Sequence, residues 1–315
     1  MTILVTGGAG FIGSHLIEAL HAAGHVVVNV DEVNDYYDVN FKIYNLSLLK
    51  DYDRYHFYQT DINDEAKLAE IMQRHLPEVV VHLGARAGVR RSMEEPKLYR
   101  ESIYQGTQRL YQAAQRFHVS QFIFGSTSSV YGNSSVPFTE TAQLLQPISE
   151  YAKLKLLTEQ WLEEQHAVTA LPTTILRFFT VYGERGRPDM APYLFTKAIL
   201  TNQPITQYGD GSSSRDYTYI ADIIAGIMAA IQKRFDFEII NLGNNQSVSL
   251  KEFIHTLERI TKLTAKMEFQ PQPGWDANHT LANIDKAKAL LAYQPHTNLE
   301  TGLTKFVEWF QQHRL

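Results

Sequence analysis

The run Gly7-Gly-Ala-Gly-Phe-Ile-Gly13 restricts this chain more than any other stretch. It follows an apolar segment at 2–6 that reads as a short buried strand, and it precedes a helical pattern reaching residue 23. Between a strand and a helix, Gly7 allows a tight turn, Gly10 lets the backbone approach a pyrophosphate, and Gly13 lets helix pack on strand. The N–H groups of Phe11, Ile12 and Gly13 open the helix, where partial positive charge gathers. The second strand, 26–30, ends at Asp31. A carboxylate there accepts hydrogen bonds from an adenosine ribose and repels a 2′-phosphate, which favours NAD over NADP. Asp61 and Ile62, after the third strand, are placed to flank the adenine.

Strand and helix patterns continue to alternate. Strands read at 55–59, 78–82, 121–125 and 173–177, with helices from 63, over 97–117, and from 150 to about 166. This alternation predicts an α/β fold with a doubly wound parallel sheet. The last third mixes helical pieces at 191–200, 250–261 and 301–313 with short strands and Pro/Gly turns. It predicts a smaller C-terminal lobe built from insertions. Residues 1–177 with 217–242 are expected to form the NAD-binding Rossmann domain, and 178–216 with 243–315 the substrate lobe.

Composition narrows the chemistry. The chain has 315 residues, 44% of them hydrophobic, enough for a large core. It has no cysteine, which excludes disulfides, thiolate metal sites and thiol nucleophiles. The 12 histidines show no ligand-like spacing, so no metal is expected. A net charge of -5 argues against a nucleic-acid partner. No run approaches the roughly 20 apolar residues of a membrane span, and the N-terminal residues lack the pattern of a signal peptide. A soluble cytoplasmic protein is expected.

Tyr151 and Lys155 lie at i and i+4 in Tyr-Ala-Lys-Leu-Lys, hence on one helix face. An ammonium beside a phenol favours the phenolate, which makes Tyr151 a candidate base next to the redox cofactor.

Together these residues resemble the extended short-chain dehydrogenase/reductase superfamily. Further markers are His82–Gly84, Ser126–Gly132, 176–183 and 215–222. A narrower similarity is to UDP-glucuronate 4-epimerases, carried by Asn34-Asp-Tyr-Tyr-Asp38, Ala87-Gly-Val-Arg90, Phe178-Phe-Thr-Val-Tyr-Gly183 and Gly186-Arg-Pro-Asp-Met-Ala191. The resemblance implies NAD as cofactor, a UDP-sugar as substrate and a homodimer. It makes Tyr151 the base on the sugar 4-hydroxyl, Lys155 the group that binds the nicotinamide ribose and lowers the tyrosine pKa, and Thr127 a hydroxyl on the same sugar oxygen. Arg187 is then the candidate for the uronate carboxylate, since guanidinium binds carboxylate bidentately. Thr180, Ser128 and Arg90 are secondary carboxylate contacts, Arg215 a pyrophosphate contact, and Asp276 a ribose contact.

Three positions depart from the family pattern: Arg86 for glutamine, Ile103 for asparagine and Glu150 for proline. Related decarboxylases carry a glutamate after the Thr-Ser pair, and related dehydratases an Asp-Glu pair after the threonine. Thr127-Ser-Ser129 offers neither, which favours epimerisation. A UDP-glucuronate decarboxylase and a neutral UDP-sugar 4-epimerase are the alternatives.

Overall fold

The protein is described from a computed structural model that covers residues 1–142, 145–271, 274 and 277–314. The strands are β1 (Thr2–Thr6), β2 (Val26–Asp31), β3 (Tyr55–Gln59), β4 (Val79–His82), β5 (Gln121–Thr127), β6 (Thr173–Phe178), β7 (Thr180–Tyr182), β8 (Pro204–Tyr208), β9 (Ser214–Tyr219), β10 (Phe237–Leu242), β11 (Ser247–Ser249) and β12 (Lys266–Gln270). The helices are α1 (Phe11–Ala22), α2 (Val39–Ser47), α3 (Glu65–His75), α4 (Val89–Glu94), α5 (Pro96–Tyr99), α6 (Gly106–Arg116), α7 (Glu150–Thr169), α8 (Ala191–Leu200), α9 (Ile220–Gln232), α10 (Leu250–Thr261), α11 (Asp285–Leu291) and α12 (Leu299–His313).

Seven strands pair in the order β10-β6-β5-β4-β1-β2-β3, all parallel. Every residue of β4, β5 and β6 is buried, as continuous apolar runs in a sheet covered on both faces should be. Side chains alternate between two cores. Ile3, Val5 and Ile123 pack with α1 and α9 on one face. Leu4, Phe122 and Phe124 pack with α3 and α6 on the other. Strand order reverses between β1 and β4, and the crevice at such a point is where α/β sheets bind ligands. β11-β9-β7 and β12-β8 form two smaller sheets.

The expected helix at 97–117 runs without a gap over 96–116 and contains a π stretch. Pro96 starts α5, a π turn spans Arg100–Gln105, and α6 follows. α7 starts at Ser149, whose Oγ accepts from the Ala152 N–H at 3.2 Å. Glu150, where the family has proline, occupies the first turn and complements the helix dipole. Several helices end on residues in the left-handed region: Leu76 (φ 43°), Ala170 (φ 54°) and Ala292 (φ 53°).

A buried ion pair fixes α7 to the sheet. Arg177 on β6 donates to Glu159 on α7 from Nε (3.1 and 3.2 Å) and from Nη2 (2.6 Å), both side chains being 2–3% exposed. The Ser126 hydroxyl also donates to Glu159. Arg177 Nη1 donates to the Tyr131 hydroxyl at 2.9 Å, which donates to Asn241 on β10 at 2.8 Å. One carboxylate therefore ties β5 and β6 to the helix that carries Tyr151.

Candidate active site

The C-terminal ends of the central strands open into a cavity of about 430 Å³. Every cofactor residue read from the sequence lines it: Gly7, Gly10, Phe11, Ile12, Gly13, Asp31, Asp61, Ile62, Tyr151 and Lys155. So do Thr127, Ser128, Thr180 and Arg187.

At the cofactor end the glycine loop is as tight as its sequence requires. Gly7 has φ 76°, and a Cβ there would lie 2.7 Å from the Gly84 nitrogen. A Cβ on Gly13 would lie 2.2 Å from the Gly7 carbonyl oxygen. Gly10 caps α1, and no side chain caps that helix, so its first-turn N–H groups face the cavity mouth as an anion cradle. Asp31 is buried and held by its neighbours: Oδ2 accepts from the Ala9 N–H at 3.0 Å and Oδ1 from the Val33 N–H at 2.8 Å. Burial raises its pKa, and the Lys42 ammonium pulls it back. A glycine cradle, an uncapped helix start and a fixed carboxylate together fit a dinucleotide with a free ribose.

A buried chain joins this loop to the next one. Thr107 Oγ1 donates to the Ile103 carbonyl at 2.5 Å, so it accepts from His82 Nε2 at 2.9 Å. His82 Nδ1 then accepts from Thr6 Oγ1 at 2.7 Å, and Thr6 in turn accepts from the Gly84 N–H at 2.9 Å. This directionality assigns the Nε2–H tautomer. Burial, then Lys155, brings the His82 pKa down to about 3, so the ring stays neutral. Ile103 itself is buried against Tyr99 and Leu154 and needs no polar partner.

At the chemical end, Thr127 terminates β5. Its hydroxyl accepts from the Ser129 N–H and donates to Ser129 Oγ, both at 3.1 Å, and it lines the cavity together with Tyr151. The Tyr151 N–H is anchored on Ser92 Oγ at 3.0 Å. Burial raises the Tyr151 pKa; the Arg187 guanidinium and the neighbouring Thr127 hydroxyl oppose it. The sequence assigns a further opposing charge to Lys155. Lys155 Nζ donates to the Gly125 carbonyl at 2.6 Å and lies 4.4 Å from the centre of the Phe124 ring. Burial brings the Lys155 pKa down to about 7 against the pull of Glu159.

Arg187 is 20% exposed, and Asp189 takes its Nε (3.0 Å) and Nη2 (2.5 Å). Two further substrate assignments do not reach the cavity. Arg90 is 74% exposed and pairs with Glu94 at 3.6 Å, because α4 starts at Val89 and turns the next side chain outward. Arg215 on β9 lies outside the cavity lining and donates to the carbonyls of Ser214 (2.9 Å) and Asn278 (3.2 Å). Asp276 lies outside the described residues. Lining residues without an assigned role in the sequence reading include Lys42, Glu101 and Arg86. Lys42 is tied to the Asn34 carbonyl (2.9 Å) and Oδ1 (2.7 Å), a contact with no local sequence signature. Among the described residues no cluster could hold a metal ion, and no helix is long and apolar enough to cross a membrane.

Residues 3–243 match the model of the NAD dependent epimerase/dehydratase family. The chain belongs to that family. Its relatives place it further. It is 40% identical over 310 residues to a UDP-glucuronate 4-epimerase of Thermodesulfobacterium geofontis, covering 98% of this chain and 96% of that one. The crystal structure of a Bacillus cereus UDP-glucuronic acid 4-epimerase, in complex with UDP-glucuronic acid and NAD, superposes with a TM-score of 0.95 at 37% identity, covering 99% of each chain. A UDP-glucose 4-epimerase of Thermotoga maritima, with UDP-glucose, superposes at 0.91 and 32% identity, again over 99% of each.

Proposed function

We propose that the chain interconverts UDP-glucuronate and UDP-galacturonate by NAD-dependent epimerisation at C4. One observation carries the reading: the Tyr151 phenol, the Thr127 hydroxyl and the Arg187 guanidinium meet in the cavity that the glycine loop and Lys155 also line.

Gly7–Gly13, Asp31 and Lys155 would hold NAD, which when bound would supply acceptance of hydride from C4 and its return to the opposite face. Tyr151 accepts the proton of the sugar 4-hydroxyl, so the C4–O bond becomes a ketone; it gives the same proton back when the alcohol re-forms. Thr127 bonds that oxygen and keeps the phenol oriented. Lys155 serves the ribose side of the cofactor. Between the two proton movements at Tyr151 the sugar turns over.

The ketone at C4 makes the uronate a β-keto acid, which loses CO₂ when its carboxylate bond aligns with the carbonyl π system. Arg187 holds the carboxylate out of that alignment, with Ser128 and Thr180 on the same lining. Thr127-Ser128-Ser129 contains no acid, which sets the site apart from decarboxylating relatives. The two-part division at 1–177 with 217–242 and 178–216 with 243–315 belongs to this proposal, as does a cytoplasmic homodimer paired through the helices that start at Pro96 and Glu150.

Separate incubations with UDP-glucuronate and with UDP-glucose, followed by NMR of the sugar, test the reading. UDP-galacturonate without added reductant is expected. A pentose product would replace epimerisation with decarboxylation, and conversion of UDP-glucose alone would make the substrate a neutral sugar.

A further inference from the structure

Three of the four stretches that carry the narrow resemblance are far apart in sequence, yet they meet at one point. Tyr36 comes from the loop after β2, Gly88 from the loop after β4, and Arg187 with Asp189 from the loop after β7. The Tyr36 hydroxyl donates to Asp189 Oδ2 at 3.1 Å. The Arg187 guanidinium lies 5.5 Å from the centre of the Tyr36 ring. The Arg91 guanidinium lies 5.1 Å from the same ring, and its Nη1 donates to the Tyr36 carbonyl at 2.6 Å. Gly88, at φ 100°, makes room: a Cβ there would stand 2.1 Å from the Tyr36 hydroxyl oxygen and 3.4 Å from Arg187 Nη2.

This arrangement divides the guanidinium by edge. Tyr36, Gly88 and Arg187 line the cavity, and Asp189 does not. The edge made by Nε and Nη2 is thus taken from behind, by Asp189. Nη1 and the second Nη2 hydrogen remain for an acceptor in front. An arginine has a long flexible stem, and a bidentate partner plus an aromatic face removes most of its rotamer freedom before a ligand arrives.

We propose that Tyr36 is a positioning residue for Arg187. Through the Asp189 bond and its ring face it presents the free guanidinium edge to the C5 carboxylate of a nucleotide-linked uronic acid, and so sets the preference for that carboxylate over a hydroxymethyl group. The inference rests on the uronate reading of Arg187 given above.

Calorimetric titration of the NAD-loaded enzyme with UDP-glucuronate and with UDP-glucose tests both, read as the ratio of the two affinities. Arg187→Ala should lower that ratio by about tenfold or more, the scale of a lost charge-assisted bond. Tyr36→Leu, which loses both ring and hydroxyl, should lower it by about tenfold, and Tyr36→Phe, which keeps the ring, by about threefold, the loss falling mainly on UDP-glucuronate. In an Arg187→Ala background neither Tyr36 variant should move the ratio further. If Arg187→Ala leaves the ratio intact, the uronate reading falls and the inference with it. If Arg187→Ala collapses the ratio while the Tyr36 variants do not, or if they weaken both sugars equally, the inference alone is overturned.

Discussion

The Arg187 guanidinium opposes the burial that raises the pKa of the Tyr151 phenol. The base is thereby coupled to the residue assigned to the substrate carboxylate. A cation lowers the pKa of a neighbouring phenol, so removing it raises that pKa. In Arg187→Ala the rising limb of kcat/KM against pH should therefore move to higher pH. A limb that stays in place would give the tuning of Tyr151 to another group.

Tyr151→Phe keeps the ring and removes the proton acceptor. Epimerisation should fall by about 10²–10⁴-fold or more, the contribution of a positioned acid–base group. NAD binding, read by fluorescence titration, should persist, because the glycine loop and Asp31 are untouched. Turnover at the parental rate would exclude Tyr151 as the base.

Lys155 makes a pH-dependent prediction. Its folded-state pKa of about 7 lies below the ordinary 10.5, so the folded chain holds this proton more weakly than the unfolded chain does. Stability contributed by the neutral amine is present above pH 10.5 and is lost as pH falls toward 7, with no further loss below. Relative to the parent, Lys155→Met should gain stability as pH is lowered from 10 to 7, seen as a growing difference in Tm in cofactor-free protein. A difference that is flat with pH would mean that Lys155 titrates normally in the fold.

The Glu159–Arg177 pair is buried on both sides, so removing one member strands the other. Glu159→Gln or Arg177→Met should each cost about 3–5 kcal/mol in denaturant unfolding. The double substitution should cost less than the sum, since no orphan charge is left. Additive losses would show that the two residues act independently.

Much of the sheet was readable because buried strands such as β1 and β4 are close to continuous apolar runs: β1 and β3 fall where the pattern put them, and β2, β4 and β6 lie within a residue of it. The cofactor end was readable for a related reason, since its constraints are local: a turn, a close approach and a helix start within one short segment. The sugar end was not. The Tyr36–Asp189 bond spans 153 positions, and no local spacing announces it. Arg90 stood in the right text, yet one step of helix rotation carried it to solvent. Lys155 shared the expected helix face with Tyr151, but burial and the Gly125 carbonyl decided where its charge went. Side-chain direction and desolvation are tertiary quantities, and those are the places where the sequence reading needed correction.

The left-handed helix ends bear on how this chain can be modified. Leu76, Ala170 and Ala292 adopt a backbone geometry that a β-carbon resists, and none of them lines the cavity. Glycine at these three sites would relieve that crowding at positions outside the cavity lining. The molecule therefore carries a reserve of thermal robustness that engineering can draw on without altering what the catalytic mouth recognises.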